Sequence, residues 1–149
     1  MMGMIGVSTS VVCNGLLDQI WTYSDSSYTT EATSFGDGDR VYVEVTDTTT
    51  TGSPKTISIK NNTVGNEISV ELNEDSPTIY RGSFIVYSGA NNDAQDKLSI
   101  FTGQTATITA DLAGDGTKGT KTITSVLGAY INLSDPSPAK AGNIMVSLT

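Results

Sequence analysis

Apolar and polar side chains alternate along most of the chain. Val41, Val43 and Val45, for example, alternate with Tyr42 and Glu44. A period of two places successive side chains on opposite faces of a β-strand, so each such segment predicts a strand with one buried face. The apolar members of the other alternating segments are Ile5, Val7, Val11 and Cys13; Ile57 and Ile59; Ile68, Val70 and Leu72; Phe84 and Val86; Leu98 and Ile100; Ala106, Ile108, Ala110 and Leu112; and Ile144, Val146 and Leu148. With further strands near residues 120–127 and 129–133, the pattern predicts about nine or ten strands.

Clusters of Gly, Asp, Asn and Pro separate these segments and predict the turns between them. One apolar face in nearly every strand is typical of two antiparallel sheets packed face to face, so we predict an all-β antiparallel sandwich. Residues 16–21 form a segment short enough to be either a helix or a strand. The residues expected at the centre of the core are Val43, Ile59, Val70, Phe84 and Ile108.

The composition removes most catalytic chemistry. The chain has no His and a single Cys, which excludes Ser-His and Cys-His nucleophile pairs, an internal disulfide and a multi-Cys zinc site. Glu67, Glu71 and Glu74 fall at solvent-facing or loop positions, so nothing predicts the burial that raises the pKa of a catalytic carboxyl group. We therefore predict a protein that is not an enzyme and needs no cofactor.

The charge balance bears on possible partners. Sixteen acidic residues against eight basic ones give a net charge of -8, and such a surface repels phosphate backbones and anionic lipid. No apolar run is long enough for a membrane helix. The first residues are apolar but contain no basic residue, unlike a signal peptide, so either an export signal has already been removed or the chain is a piece of a longer protein.

Two acidic loops are candidates for a calcium site, because Ca²⁺ binds carboxylate and carbonyl oxygens. One loop carries Asp37 and Asp39, and the other carries Asp111 and Asp115. Neither loop has the twelve-residue pattern that ends in Glu. The alternative is turn chemistry, since Asp and Gly are the residues that tight turns require.

Three aromatic residues precede the first long strand: Trp21, Tyr23 and Tyr28. Aromatic rings beside polar groups can stack on sugar rings, so this segment is a candidate carbohydrate site. The alternative is that the rings close one end of the hydrophobic core.

Lys and Asn residues raise the possibility of covalent modification. Lys60 with Asn132 or Asn143 could form an isopeptide cross-link, provided that the fold brings them together. Formal glycosylation sequons begin at Asn61 and Asn132. Cys13 is expected to be a small buried hydrophobic residue.

Several segments are similar to strands of one family. Residues 36–47 contain Gly-Asp pairs, alternating Val and a final Asp; residues 68–74 and 81–84 contain Leu-x-Glu and Gly-x-Phe; residues 98–110 add a Leu-x-Ile segment and an alternating strand after Gly103. Together, residues 33–125 resemble an Ig-like repeat of prokaryotic surface-layer, pilus and adhesin proteins, with Gln104 where an Asp is usual. The resemblance implies an Ig-like fold and an extracellular structural module without catalytic residues.

The predicted organisation has three parts. Residues 1–32 are an N-terminal strand and aromatic segment packing on the sandwich, residues 33–133 are the Ig-like core, and residues 134–149 are a Pro-containing linker and a terminal strand. This tail resembles a linker and the opening strand of a following repeat, and an alternating apolar strand can pair with the open sheet edge of a neighbour. The residues expected at such a subunit contact are Ile5, Val7, Val11, Ile144, Val146 and Leu148.

The sequence therefore predicts a structural subunit of an extracellular filament, pilus or surface array, assembled from copies of one chain by strand exchange. The alternative is an adhesin or carbohydrate-binding module of a larger cell-surface protein.

Overall fold

A computed structural model describes residues 19–48, 54–111 and 118–128. Within these residues the chain forms nine β-strands and one turn of 3-10 helix at Asp93–Gln95. No helix in this part of the chain has the length and apolar character needed to cross a bilayer. The strands are β1 Ile20–Tyr23, β2 Ser34–Gly36, β3 Arg40–Thr46, β4 Lys55–Asn61, β5 Glu67–Ser76, β6 Ile79–Tyr87, β7 Lys97–Ser99, β8 Thr105–Asp111 and β9 Lys118–Val126.

The strands form a strongly curled mixed sheet with the shape of a half-barrel. Their order across the sheet is β1-β3-β6-β5-β4-β8-β9-β2, and β7 adds to β6. The all-β prediction is confirmed. The expectation of purely antiparallel pairing is wrong, because β2 runs parallel to β9 and β7 runs parallel to β6. Both parallel strands are only three residues long.

Strand β5 joins the half of the sheet that contains β1, β3 and β6 to the half that contains β4, β8 and β9. Its first part, from Glu67 to Leu72, pairs with β4, and its last part, from Asn73 to Ser76, pairs with β6. The register shifts between Glu74 and Ser76, where the strand is irregular. An irregularity of this kind bends a strand and increases its twist, which helps the sheet to curl around its core.

The core lies on the concave side of the sheet and follows the predicted alternation. All five residues predicted at its centre are buried. On β3, Val41, Val43 and Val45 are buried while Tyr42 and Glu44 remain partly exposed. Burial of every second side chain from both halves of the sheet supplies the main stabilisation, at roughly 25 cal/mol for each Å² of apolar surface.

The short segment that could be a helix or a strand is extended where the structure describes it. Ile20 to Tyr23 form β1, with Ile20 and Thr22 buried. The backbone N–H of Gln19 donates to the Thr46 hydroxyl oxygen at 2.9 Å, which fixes the start of the strand against β3. Residues 16–18 lie outside the described residues.

Strand directions sort the connections into two ends of the half-barrel. The exit end carries loops 37–39, 62–66, 88–96 and 100–104, together with the end of β9. The far end carries the start of β1, the end of β3, the start of β4 and the turn between β5 and β6.

A buried ion pair lies at the far end. Asp47, which is fully buried, pairs with Lys55, and the Lys55 ammonium lies 4.8 Å from the centre of the Tyr80 ring. The backbone N–H of Asp47 donates to the Thr78 carbonyl oxygen at 2.8 Å. These contacts tie the end of β3 to the start of β4 and to the turn between β5 and β6.

Candidate functional site

Aromatic side chains cover the convex face of β1 and β3. Because Ile20 and Thr22 are buried, Trp21 and Tyr23 point to the opposite, outer face. The pairing of β1 with β3 places Tyr23 opposite Tyr42. Residues directly opposite on neighbouring strands have side chains close enough to contact, so these rings start an aromatic cluster.

The loop after β1 adds Tyr28 to this cluster. The carboxylate of Asp25 organises the loop by accepting hydrogen bonds from the backbone N–H groups of Ser27, Thr29 and Thr30, and from the Thr29 hydroxyl. Desolvation acts to raise the pKa of the Asp25 carboxyl group, but hydrogen bonds from Thr30 and Thr29 outweigh it and leave the pKa below its ordinary value. The charged form of Asp25 is therefore the one that the loop requires.

Tyr28 occupies a backbone conformation that favours glycine. Its φ is +56°, which is uncommon for a residue with a side chain. The ring centre lies 5.6 Å from that of Tyr23 and 5.8 Å from that of Tyr42, with edge-to-face angles of 73° and 75°. Edge-to-face contacts are a preferred geometry for aromatic pairs, so Tyr28 is the centre of the cluster.

Arg81 on β6 stacks on this cluster and connects it to two carboxylates. The centre of its guanidinium group lies 4.3 Å from the centre of the Tyr28 ring. Its Nε and Nη2 atoms contact Glu44 Oε2 at 2.8 and 2.7 Å, and its Nη1 atom contacts Asp75 Oδ2 at 2.8 Å. Desolvation acts to lower the pKa of Arg81, but Glu44 and Asp75 outweigh it and raise the pKa above its ordinary value. We call Trp21, Tyr23, Tyr28, Tyr42 and Arg81 the aromatic face.

Burial also raises the pKa of two tyrosines on this face. Desolvation is the main cause for both Tyr23 and Tyr28, and the carboxylate of Glu44 adds to it. Their phenol groups are therefore neutral at physiological pH, when each can donate a hydrogen bond; the Tyr28 hydroxyl lies 3.4 Å from the Gly82 carbonyl oxygen. The aromatic face offers ring surfaces together with charged and neutral hydrogen-bonding groups. These groups are suited to a ligand that is rich in hydroxyl groups.

The sequence identified part of this face. The structure brings Tyr23 and Tyr28 into contact and places Trp21 on the same face, two residues before Tyr23. All three are partly buried, and none is among the buried residues of the hydrophobic core in the described part of the chain. Whether they bind a sugar or close one end of the core stays a prediction. Tyr42 and Arg81 were missed: their alternation predicts an outward direction, but only the pairing of β1, β3 and β6 brings them together.

The candidate calcium ligands serve turns where the structure describes them. The Asp39 carboxylate accepts a hydrogen bond from the backbone N–H of Gly36 at 2.7 Å, and Asp37 accepts two from Ser88. Asp111 ends β8 on a different part of the sheet, and Asp115 lies outside the described residues. Among the residues that the structure describes, no three acidic, His or Cys side chains gather in the way that a metal site needs.

The two described candidates for covalent modification, Asn61 and Lys60, differ in their exposure to solvent. Asn61 is fully buried and its side-chain amide donates to the Ser99 carbonyl oxygen at 3.0 Å and to Gln104 Oε1 at 2.9 Å, so the acceptor of this sequon is inaccessible in the folded chain. Lys60 is exposed on the outer face of β4. Asn132, Asn143 and Cys13 lie outside the described residues, as do the expected subunit contacts Ile5, Val7, Val11, Ile144, Val146 and Leu148.

Comparison with protein-family models, with curated proteins and with solved structures finds no match to this chain. The resemblance to Ig-like surface repeats therefore stays a prediction.

Proposed function

We propose that this chain is a non-enzymatic structural subunit of an extracellular filament, pilus or surface array, in which copies are joined by strand exchange. The fold that we propose for it is an Ig-like sandwich. The observation that carries the proposal is a stretch of β9 edge that has no partner strand among the described residues and could accept a strand from a neighbouring copy.

Strand order supports the Ig-like part of the proposal. In constant-type Ig domains, strands A, B, E and D form one sheet and strands C, F and G form the other. Here β1, β3, β6 and the end of β5 follow one another in the first order, while β4, β8 and β9 follow one another in the second. Under this correspondence, β1 and β2 are two parts of strand A, and β5 is the strand that passes from one sheet to the other.

The open edge lies on the first two-thirds of β9. On one side, β9 pairs with β8 from Lys118 to Thr124. On its other side it pairs with β2 only from Thr124 to Val126, so the stretch from Lys118 to Ile123 has no strand partner there among the described residues. Unpaired backbone groups along such an edge can form a ladder with a strand of another chain.

A charged side chain restricts which strand can add to this edge. Lys121 lies on the same face of β9 as the buried Ile123, and its ammonium lies 3.8 Å from Glu31 Oε1. A charge that points inward at an edge disfavours indiscriminate pairing. The edge therefore favours a strand that leaves room for this ion pair over an arbitrary extended peptide.

Substitutions in the full chain test strand exchange. Val146→Asp places a charge among the apolar side chains of the C-terminal segment, and Val7→Asp does the same in the N-terminal segment. We expect at least one of them to abolish polymers seen by light scattering and electron microscopy, because the charged side chain would have to be buried in the neighbouring copy. Removing residues 135–149 should likewise leave a soluble particle that does not elongate.

Matched controls use the neighbouring positions on the opposite face. Ser147→Asp and Ser8→Asp introduce the same charge at positions that alternate with the apolar residues of the sequence, so we expect normal polymers. If Val146→Asp, Val7→Asp and the chain without residues 135–149 all assemble like the unmodified chain, strand exchange is wrong.

The aromatic face supports a second candidate function, that of an adhesin or carbohydrate-binding module. Trp21 is only partly buried and lies opposite Glu44, where a sugar ring could stack on the indole and bond to the carboxylate. Binding to immobilised polysaccharides should fall at least about tenfold in Trp21→Ala, in line with the loss of about 1.4 kcal/mol, and should be unchanged in Tyr87→Ala. If the two variants bind equally well, the aromatic face is not the polysaccharide-binding site.

A further inference from the structure

The exposed large hydrophobic side chains lie at one end of the half-barrel, among the polar residues of its loops. Among the described residues, every large hydrophobic side chain that is exposed lies at the exit end. These side chains are Val64 (55% exposed), Phe101 (51%), Leu127 (51%), Tyr87 (38%) and Val126 (38%). Single exposed hydrophobic residues are common on protein surfaces, whereas several close together are typical of interaction sites.

Backbone hydrogen bonds connect the segments that carry Tyr87, Phe101 and Val126. Tyr87 ends β6 and Val126 ends β9, and Phe101 lies in the loop that leads into β8. The Gly103 N–H donates to the Ser125 carbonyl oxygen at 2.7 Å, so the Phe101 loop lies directly beside the end of β9. The Ile100 N–H donates to the Tyr87 carbonyl oxygen at 2.9 Å, which joins the end of β6 to the same loop. We call Phe101, Val126 and Leu127 the apolar end.

The chain leaves the described fold at this same surface. Gly36 and Gly128 approach so closely that a Cβ atom on Gly36 would lie 2.9 Å from the Gly128 Cα. The backbone is therefore anchored at the apolar end up to Gly128. The next five residues, 129–133, read Ala-Tyr-Ile-Asn-Leu, in which Ala129, Ile131 and Leu133 alternate with Tyr130 and Asn132.

We propose that residues 129–133 of the same chain fold back and dock on the apolar end, with Ile131 and Leu133 against it. Five residues reach about 17 Å when extended, which is enough to cross the end of a curled sheet. The segment is attached to Gly128 without a linker, so its effective concentration at this surface far exceeds that of any second molecule. This proposal goes beyond the proposed function, because it concerns the end of the sheet and not the edge of β9.

The test uses the full chain at a dilution where light scattering reports a monomer. The probe is a dye that fluoresces on exposed apolar surface. We expect the unmodified monomer to bind little dye and the double variant Ile131→Ser/Leu133→Ser to bind at least about three times as much. Asn132→Ser, which alters the same segment on its other face, should bind as little dye as the unmodified chain.

A second measurement separates docking from general loosening of the fold. Phe101→Ser should lower the melting temperature of the unmodified chain, because it removes a docking contact. The same substitution should have little effect in the Ile131→Ser/Leu133→Ser background, where the contact is already lost. Equal shifts in the two backgrounds would mean that Phe101 and this segment do not touch.

Two dye results would overturn the proposal. If the unmodified monomer binds as much dye as the double variant, the apolar end is uncovered. If dye binding by the unmodified chain disappears only on concentration to a dimer, a second copy covers the apolar end in place of residues 129–133.

Discussion

Phe84 and Tyr42 illustrate how strongly a single residue's face determines its contribution. Phe84 lies opposite Val41 and is fully buried, whereas Tyr42 lies opposite Ser83 and packs its ring on the convex side against Tyr28. The two aromatic residues are therefore close in the sheet but differ in what surrounds them.

Alanine substitutions should separate these two environments. We expect Phe84→Ala to lower the free energy of unfolding by about 3–5 kcal/mol, because it leaves a cavity in the core. Tyr42→Ala should cost far less, on the order of 1 kcal/mol, because it removes mainly a ring contact at the surface. Urea denaturation measures both, and equal losses would contradict the assignment of faces.

Thr78 carries backbone strain at the far end. It follows Pro77 in the turn between β5 and β6 and has a φ of +74°, in the region that disfavours β-branched residues. Its carbonyl oxygen accepts the hydrogen bond from the Asp47 N–H, so the surrounding contacts maintain the strained conformation.

Replacing Thr78 with glycine should therefore stabilise the fold. A left-handed conformation costs a residue with a side chain roughly 1–2 kcal/mol, and glycine avoids most of this cost at some expense in chain entropy. We expect Thr78→Gly to raise the melting temperature by a few degrees, about 1 kcal/mol or less. Thr56→Gly, at an exposed strand position with ordinary backbone angles, should lower it; a decrease in both variants would argue against strain at Thr78.

At the scale of elements, the loop between β1 and β2 depends on one charge. Hydrogen bonds to Asp25 lower the pKa of its carboxyl group, so the folded loop favours the ionised form over the protonated one. A group whose pKa is lower in the folded state contributes its stabilisation above its ordinary pKa, and this contribution is lost as the pH falls through the folded-state value.

The packing of Tyr28 should consequently respond to acid. We expect NMR signals of the Tyr28 ring to keep their folded shifts from neutral pH down to about pH 4, near the ordinary pKa of Asp, and to move toward unstructured values below it. Asp25→Asn should show a loosened loop already at neutral pH, with little further change on acidification. If Asp25→Asn still shows the acid transition, a group other than Asp25 causes it.

The elements differ in how far the sequence could predict them. β3, β4, β8 and the first part of β5 follow from alternation alone, because each has one buried and one solvent-facing side. β7 lies where the alternation of Leu98 and Ile100 predicts a short strand, but its parallel pairing with β6 could not be predicted. β2 could not be predicted, because three residues are too few to show a period and it is extended by pairing with the distant β9. The partner change within β5 is also invisible in the sequence, since its exposed residues 73–75 look like a turn.

The candidate site, like the strands, could be predicted only in part from the sequence. Proximity in sequence pointed to Trp21, Tyr23 and Tyr28. The contribution of Arg81 depends on strand order, which places it beside Glu44 on β3 and within reach of the loop that carries Tyr28. Long-range pairing of this kind leaves no local signal in one sequence.

At the scale of the whole molecule, the fold should form without bound metal. Among the described candidate ligands, Asp37 and Asp39 already accept hydrogen bonds from Ser88 and from the Gly36 N–H, and Asp111 ends β8 on a different part of the sheet. We expect the same melting temperature with added Ca²⁺ and with a chelator. A decrease of more than about 5 °C in the chelator, on the order of 1 kcal/mol for a domain of this size, would show that calcium contributes.

The parallel pairing of β2 with β9 has a mechanical consequence. The described chain begins at the far end and leaves at the exit end, so tension along the chain pulls β2 and β9 in opposite directions. Their three residue pairs, from Ser34–Thr124 to Gly36–Val126, are then loaded in shear, and their hydrogen bonds resist together instead of opening one at a time. Stretching single molecules between residues 19 and 128 should reveal one abrupt rupture, and Phe35→Gly, which removes the buried side chain at the centre of this pair, should lower its force.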